Sequence, residues 1–277
     1  MYYKVLAPHP DLRSYIGCYW ILKTDATPIG REEVIIPDGY AEIILNLGTA
    51  YSWKSTANQT ACLIKDTHIV GQRNVSVSVK LPSYLYQIGI KIKPQAMHCL
   101  LNLPAIQLSN HLLHTNDLSD PTFSHLADKL FAAATEHEQK LWLDEYFFRK
   151  LKSHLATDAV TGYAIHYITA RKGLARMDEL KNTLGIDYRT LERRFKTTVG
   201  LTPKEFARVI RFKNVYKAFR KNQAKDNAYF LDWGYYDQSH YIKEFNFFMG
   251  NTPTAYQAEK GGMSDAILRK GLEKAIL

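Results

Sequence analysis

Cysteine is scarce, with three in 277 residues. Cys18, Cys62 and Cys99 are far apart and form no C-x-x-C pair, so they make neither an even disulfide framework nor a thiol-redox motif and read as reduced, mostly buried thiols. There is no run of about 18 apolar residues, the length that crosses a bilayer. The Met1-Tyr-Tyr-Lys start has no apolar core of a secretory signal. Membrane spanning and secretion therefore lack support, and a cytoplasmic protein is expected. The chain also lacks a G-x-S-x-G elbow and a glycine-rich phosphate loop, so nucleophile-elbow and nucleotide-driven catalysis have no sequence support. No enzyme activity and no cofactor are expected.

What is present is a long, apolar-rich chain with uneven charge. With 46% hydrophobic residues it has material for two ordinary domains, each with its own core. Residues 1–155 hold 15 Lys/Arg against 14 Asp/Glu, net +1, whereas 156–277 hold 21 against 13, net +8. Positive charge concentrated in one half favours a polyanionic partner.

The first ninety residues alternate apolar and polar side chains. Val75, Val77 and Val79 interleave with Ser76, Ser78 and Lys80, and Ile88, Ile90 and Ile92 with Gly89, Lys91 and Lys93, the period of half-buried strands. GCYWILK and AEIILNLG are joined through the turn chemistry of Ile36-Pro37-Asp38-Gly39. A small antiparallel sheet or barrel follows. From about Pro94 the spacing changes to three and four, predicting helices over PQAMHCLLNL and FSHLADKLFAAATEHEQKLWLDEYFFRKLKSHL. The fold class is α+β in two domains: 1–155 antiparallel β with trailing helices, 156–260 all-α, then a tail at 261–277.

Within the basic half one unit occurs twice. Aligning RRFKTTVGLTPKEF with EFNFFMGNTPTAY places Phe195 under Phe245, Gly200 under Gly250, Thr202 under Thr252, Pro203 under Pro253 and Phe206 under Tyr256, a constant offset of 245 − 195 = 50. Each copy reads as a helix, a glycine turn (Gly185, Gly234) and a second helix N-capped by aspartate (Asp187, Asp237). That is a helix-turn-helix, whose second helix lies in the DNA major groove; two copies on a rigid connector span grooves about 34 Å apart. The exposed positions are Tyr188, Arg189, Glu192, Arg193 and Lys196 in the first copy and Gln238, Ser239, Ile242, Lys243 and Asn246 in the second, with Arg211 a basic candidate on the connector. Leu191, Phe195, Tyr241 and Phe245 fall on the core face. Arginine bonds bidentately to guanine, glutamine to adenine, and glutamate accepts from cytosine.

GYYDQSHYIKEF followed by Gly-x-Thr-Pro resembles the signature of the AraC/XylS family of bacterial transcription regulators, and LGIDYRTLERRFKTTVGLTP resembles that family's first helix-turn-helix. The match covers roughly Gly173 to Tyr256. The resemblance implies that Arg189, Glu192 and Arg193, with Gln238, Ser239 and Lys243, face bases or backbone of double-stranded DNA. It departs at Lys181 and Phe230, where a small alanine usually stands four residues before each turn glycine. Tyr19-Trp20, Ile36-Pro37-Asp38-Gly39 with Glu42, Val70-Gly71 and Ile92-Lys93-Pro94 resemble the cupin-like β-rich sensing domain of some such regulators. That implies a small-molecule effector, a homodimer, or both, with RNA polymerase as a further partner. Trp20, Tyr40 and Glu42 are the candidate effector-binding residues.

Two other classes compete. His111 and His114, three apart in HLLH, and His98 beside Cys99 invite a cupin-like metal enzyme localised by a nucleic-acid-binding half. Yet the strand region holds only His9 and His68, and no third or fourth ligand is fixed by spacing, so no metal is expected. A non-specific architectural or RNA-binding protein would bind all sequences alike, which the mixture of Arg, Gln and Glu argues against.

Overall fold

The computed structural model describes residues 1–24, 32–56, 61–101, 103–115, 122–151, 158–220 and 229–258. The boundary expected near Leu155 and the tail expected at 261–277 lie outside the described residues. Strands β1 (Tyr2–Leu6), β2 (Ile16–Thr24), β3 (Glu32–Ile35), β4 (Ala41–Asn46), β5 (Tyr51–Ser55), β6 (Ala61–Ile64), β7 (His68–Val70), β8 (Val77–Lys80), β9 (Leu85–Ile92) and β10 (Leu112–His114) form two antiparallel sheets. One runs β1-β2-β9-β4-β7-β10 and the other β3-β8-β5-β6.

The larger sheet is apolar on both faces. Tyr19, Ile21, Ile43, Leu45, Ile88, Ile90 and Ile92 pack under helices α2 (Thr122–Ala132) and α3 (Glu136–Leu151). The alternate residues Trp20, Leu22, Ile44 and Leu85 pack with Tyr51, Trp53, Val77 and Val79 of the smaller sheet. The two-residue period thus serves two cores at once. Gly89 on β9 lies under the Trp20 indole, where an added Cβ would approach the ring to 1.9 Å.

The long helical run expected after Phe123 is broken at Ala133–Thr135. Thr135 Oγ1 accepts from the Glu138 amide at 3.2 Å, and Glu138 Oε2 accepts from the Ala134 amide at 2.9 Å, a capping exchange that starts a new helix. Upstream, α1 (Met97–Leu101) is shorter than the apolar spacing predicted. Of HLLH, Leu112–His114 forms β10, paired so that His114 opposes His68. His111 lies just before the strand, its carbonyl accepting from the Gly71 amide at 3.2 Å.

The C-terminal part is helical: α4 (Ala159–Ala170), α5 (Met177–Leu184), α6 (Tyr188–Val199), α7 (Pro203–Arg220), α8 (Gln238–Met249) and α9 (Pro253–Ala258), with a 3-10 turn at Tyr229–Trp233. The second helix of each repeated unit, α6 and α8, ends on a left-handed glycine, Gly200 at φ +95° and Gly250 at φ +71°. The repeated Thr-Pro that follows has a local cause. Thr202 Oγ1 accepts from the Glu205 amide at 3.1 Å and Thr252 Oγ1 from the Ala255 amide at 3.3 Å, while proline occupies a first-turn position needing no donor. Of the two departures, Lys181 reaches outward to Asp178 at 2.9 Å. Phe230 is buried and stacks on Tyr241 with centroids 5.7 Å apart.

Helix α7 is the axis of this core. Phe206, Ala207, Val209, Ile210, Phe212, Val215, Tyr216 and Phe219 are all buried, and Ile36 of the β region joins the same cluster. Phe245 of α8 meets the rings of Phe212, Phe219, Tyr241 and Tyr256 with centroids 5.1 to 5.9 Å apart. Phe245→Ala should therefore cost about 3–5 kcal/mol of stability. Urea unfolding followed by circular dichroism measures it, and a loss below ~1 kcal/mol would mean that the aromatic cluster does not hold the second unit.

Candidate nucleic-acid interface and adjoining cavity

The turn before α6 closes through Gly185 at φ +64°, and the helix starts where Asp187 accepts from the Thr190 amide at 2.9 Å and hydroxyl at 2.7 Å. Those two bonds hold the Asp187 carboxyl below its ordinary pKa, so it caps as an anion at the positive end of the helix. Asp237 likewise caps α8, accepting from the His240 amide at 2.7 Å. The buried positions match expectation: Leu191, Phe195, Tyr241 and Phe245 all face inward. Arg189, Arg193, Gln238, Ser239, Lys243 and Asn246 are exposed.

Five residues sit differently from a plain reading face. Tyr188 is half-buried, with the Lys204 ammonium 5.2 Å from its ring centroid. Glu192 and Lys196 are half-buried and paired with each other at 2.7 Å. Ile242 is half-buried against the core. Arg211 is turned inward: its Nη2 donates to Glu244 at 2.6 Å, and its guanidinium lies 4.7 Å over Tyr235. Arg208 holds the other oxygen of Glu244 at 3.0 Å and lies 4.2 Å from the Phe247 ring.

Glu244, with a side chain 3% exposed, is a residue the helical spacing gave no reason to single out, since it lies between Tyr241 and Phe245 on the core side. The available signal was the pair Arg208 and Arg211, one turn apart on a helix with buried residues on every face. A carboxylate in that setting is stable only with such partners. The brace ties α8 to α7.

Between the sheets lies a cavity of about 160 Å³. Its walls are aromatic and aliphatic, with Trp20, Tyr51, Trp53 and Val79 among them, and α7 closes it with Lys213 and Tyr216. Trp20 and Glu42 line it, Trp20 Nε1 donating to Glu42 at 3.3 Å. Tyr40, expected with them, is not in the wall. Its ring lies 5.5 Å from the Lys91 ammonium and 5.0 Å from that of Lys213, behind the polar end.

That end contains Asp38, Lys91 and Lys213. Burial would raise the Asp38 carboxyl, but Lys91, Lys213 and the Lys91 hydrogen bond override it and hold the group well below the carboxylate range. Burial likewise opposes the Lys91 charge, and Asp38 with Glu42, at 3.7 Å, raises its pKa well above the ordinary value. Lys213 donates to the Asp38 carbonyl at 2.8 Å, and burial pushes its ammonium down to about 8 despite Asp38. His68 is pushed to about 4 by burial and meets the Tyr51 hydroxyl at 2.9 Å. Among the described residues, no three His, Cys, Asp or Glu side chains converge as a metal cluster, and no helix is long and apolar enough to cross a membrane.

Comparison with known protein families finds two separate matches. Residues 180–259 match a helix-turn-helix domain, and residues 4–114 match a domain of unknown function, DUF6597. No curated protein matches the chain. Among solved structures, ToxT from Vibrio cholerae is similar at 12% identity and TM-score 0.48, over 88% of this chain and 98% of that one. The AraC-like transcriptional activator CuxR is similar at 15% identity and TM-score 0.31, over 78% and 87%.

The Lys213 environment has a pH signature. Its folded pKa of about 8 lies below the ordinary 10.5, so between those values the unfolded chain binds more protons and stability rises with pH. Below about pH 8 both states are protonated and the burial penalty is present in full. Urea unfolding at stepped pH should show the parent gaining on Lys213→Met from about pH 8 to 10.5. A difference that stays constant across this window would remove Lys213 from the buried cluster.

Proposed function

We propose that this chain, a DNA-binding transcription regulator whose C-terminal segment is a helix-turn-helix domain of the AraC type, lays α6 and α8 into successive major grooves on one DNA face. We propose further that a small molecule in the barrel cavity controls it. One observation carries the first part. Two helices with the same aspartate cap, left-handed glycine end and buried aromatic side each present basic or amide side chains outward.

In this reading Arg189 and Arg193 address guanine edges or phosphates from α6, and Gln238, Ser239 and Lys243 address the second groove. Glu192 and Lys196 read only after parting from each other. Ile242 offers its exposed edge to a thymine methyl. Arg211 supports recognition by bracing Glu244 rather than by reaching a base. The division of labour is 1–155 for sensing and dimerisation, 156–260 for DNA and 261–277 as a tail, in a cytoplasmic protein that also meets RNA polymerase.

The effector reading rests on the cavity wall. A concave, mostly apolar space with a few convergent polar groups is the ordinary form of a ligand site. Here Lys213 and Tyr216 belong to α7, so an occupant would touch the DNA-binding half directly.

The test begins with DNA selected from random sequence. Log affinity should fall linearly with log salt as phosphate contacts release counterions, and protection should cover two major-groove segments about one helical turn apart. Arg193→Ala should relax base preference in one segment by about 1–3 kcal/mol, and Lys243→Ala should act on the other. A flat salt dependence would sink the DNA reading, and equal loss on every sequence would recast Arg193 as a phosphate contact.

A further inference from the structure

The β region holds the recognition helices through one row of small polar side chains. Ser109 donates its hydroxyl to the carbonyl of Gly200, at the end of α6. Ser76, fully buried at the start of β8, donates to the carbonyl of Phe248 in the last turn of α8. Between them Asn74 and Asn110 are joined twice: the Asn74 amide donates to Asn110 Oδ1 at 3.0 Å, and Asn110 Nδ2 donates to Asn74 Oδ1 at 2.8 Å. Asn74 Nδ2 then donates to Glu205 Oε1 at 2.9 Å, in the first turn of α7.

The row therefore touches the end of the first recognition helix, the start of the connector and the end of the second recognition helix. Last-turn carbonyls of a helix have no partner within it, so the bond to Phe248 satisfies a group the DNA-binding half leaves open. The row is also stiff. Asn110 is held at φ +61°, a conformation that costs a non-glycine residue energy unless its surroundings fix it. Its amide bond to the Gln72 carbonyl at 2.9 Å and its pairing with Asn74 provide that fixation. Gln72 in turn donates to the Gly39 carbonyl at 2.9 Å, in the turn that packs on Phe206 and Ile210 of α7.

We infer that Ser76, Asn74, Asn110 and Ser109 are positioning residues for DNA recognition: they fix the angle and separation of α6 and α8, so that the intact chain accepts its two half-sites at one spacing only. The inference rests on both helices docking, as proposed above. Removing the row leaves each reading face intact and loosens the relation between them. A purely structural contact would instead weaken binding to all DNA alike.

The experiment uses the full chain and the selected DNA, in its native form and with one base pair inserted between the two protected segments, which turns one half-site relative to the other. The parent should bind the inserted site at least tenfold more weakly. In Asn74→Ala/Ser76→Ala the ratio between the two sites should shrink at least threefold. Asn74→Asp, which keeps the side-chain size and sets a carboxylate against Glu205, should shrink it in the same direction and decides the matter if the double variant shows no cooperative melt. A ratio unchanged in folded variants overturns the inference while leaving two-groove docking in place. A parent that protects two segments but tolerates the insertion also overturns it. A parent that protects one segment or none fails the docking reading itself, and the inference with it.

Discussion

A helix apolar on nearly every side has to be enclosed, and α7 is such a helix. Its buried residues occupy all of its faces, so no single neighbour can cover it. The first recognition unit covers one side through Phe195, which meets Phe206 with centroids 5.6 Å apart. The second covers another through Phe245 and Phe248, the latter 4.3 Å from Phe212. The turn through Ile36 and Gly39 covers a third. Because all three must close on one cylinder at native packing density, their mutual placement follows from burying it.

The net charge of the C-terminal half overstates what DNA would meet. Arg194 is held by Asp158 at 3.3 Å, Arg208 and Arg211 by Glu244, Lys196 by Glu192 and Lys181 by Asp178. The exposed pairs contribute little to stability, but they compete for the same cations that phosphates would use. Among the described residues, Arg189, Arg193 and Lys243 are on the outward faces without such partners. In the proposed reading the field that draws in a polyanion would belong to the whole half, whereas discrimination would fall to these few side chains.

What was legible in the sequence was whatever repeats locally. Period-two valines and isoleucines marked strands, the fifty-residue offset marked the paired units, and Asp187, Asp237, Thr202 and Thr252 marked helix starts, because capping is decided within four residues. What escaped is decided by distant partners. Glu244 and Lys213 looked like ordinary charged positions on helices; each is tolerated in the interior only because Arg208, Arg211 or Asp38 arrives from elsewhere in the chain. The three-residue spacing of His111 and His114 invited a metal pair, yet pairing with β7 made Leu112–His114 a strand. Tyr40 was expected with Trp20 and Glu42 at the mouth of the barrel, whereas Gly39 at φ +84° turns the chain just before it.

The wall between cavity and recognition helices is one residue thick. Along the segment entering β8, Arg73, Val77 and Val79 line the cavity, while Asn74 and Ser76 bond the DNA-binding half. The strand begins at Val77, so its alternation turns Val77 and Val79 toward the cavity, and the bonds of Asn74 and Ser76 turn the residues before it the other way. Such a segment cannot yield to an occupant on one side without carrying its other side along, because interiors are nearly incompressible. The opposite wall behaves alike, since Lys213 and Tyr216 reach the cavity from the helix that both recognition units enclose. Were a molecule to occupy the cavity as proposed, its coupling to the angle of α6 to α8 would need no relay of intervening residues, as the cavity wall and the seat of those helices share one backbone segment.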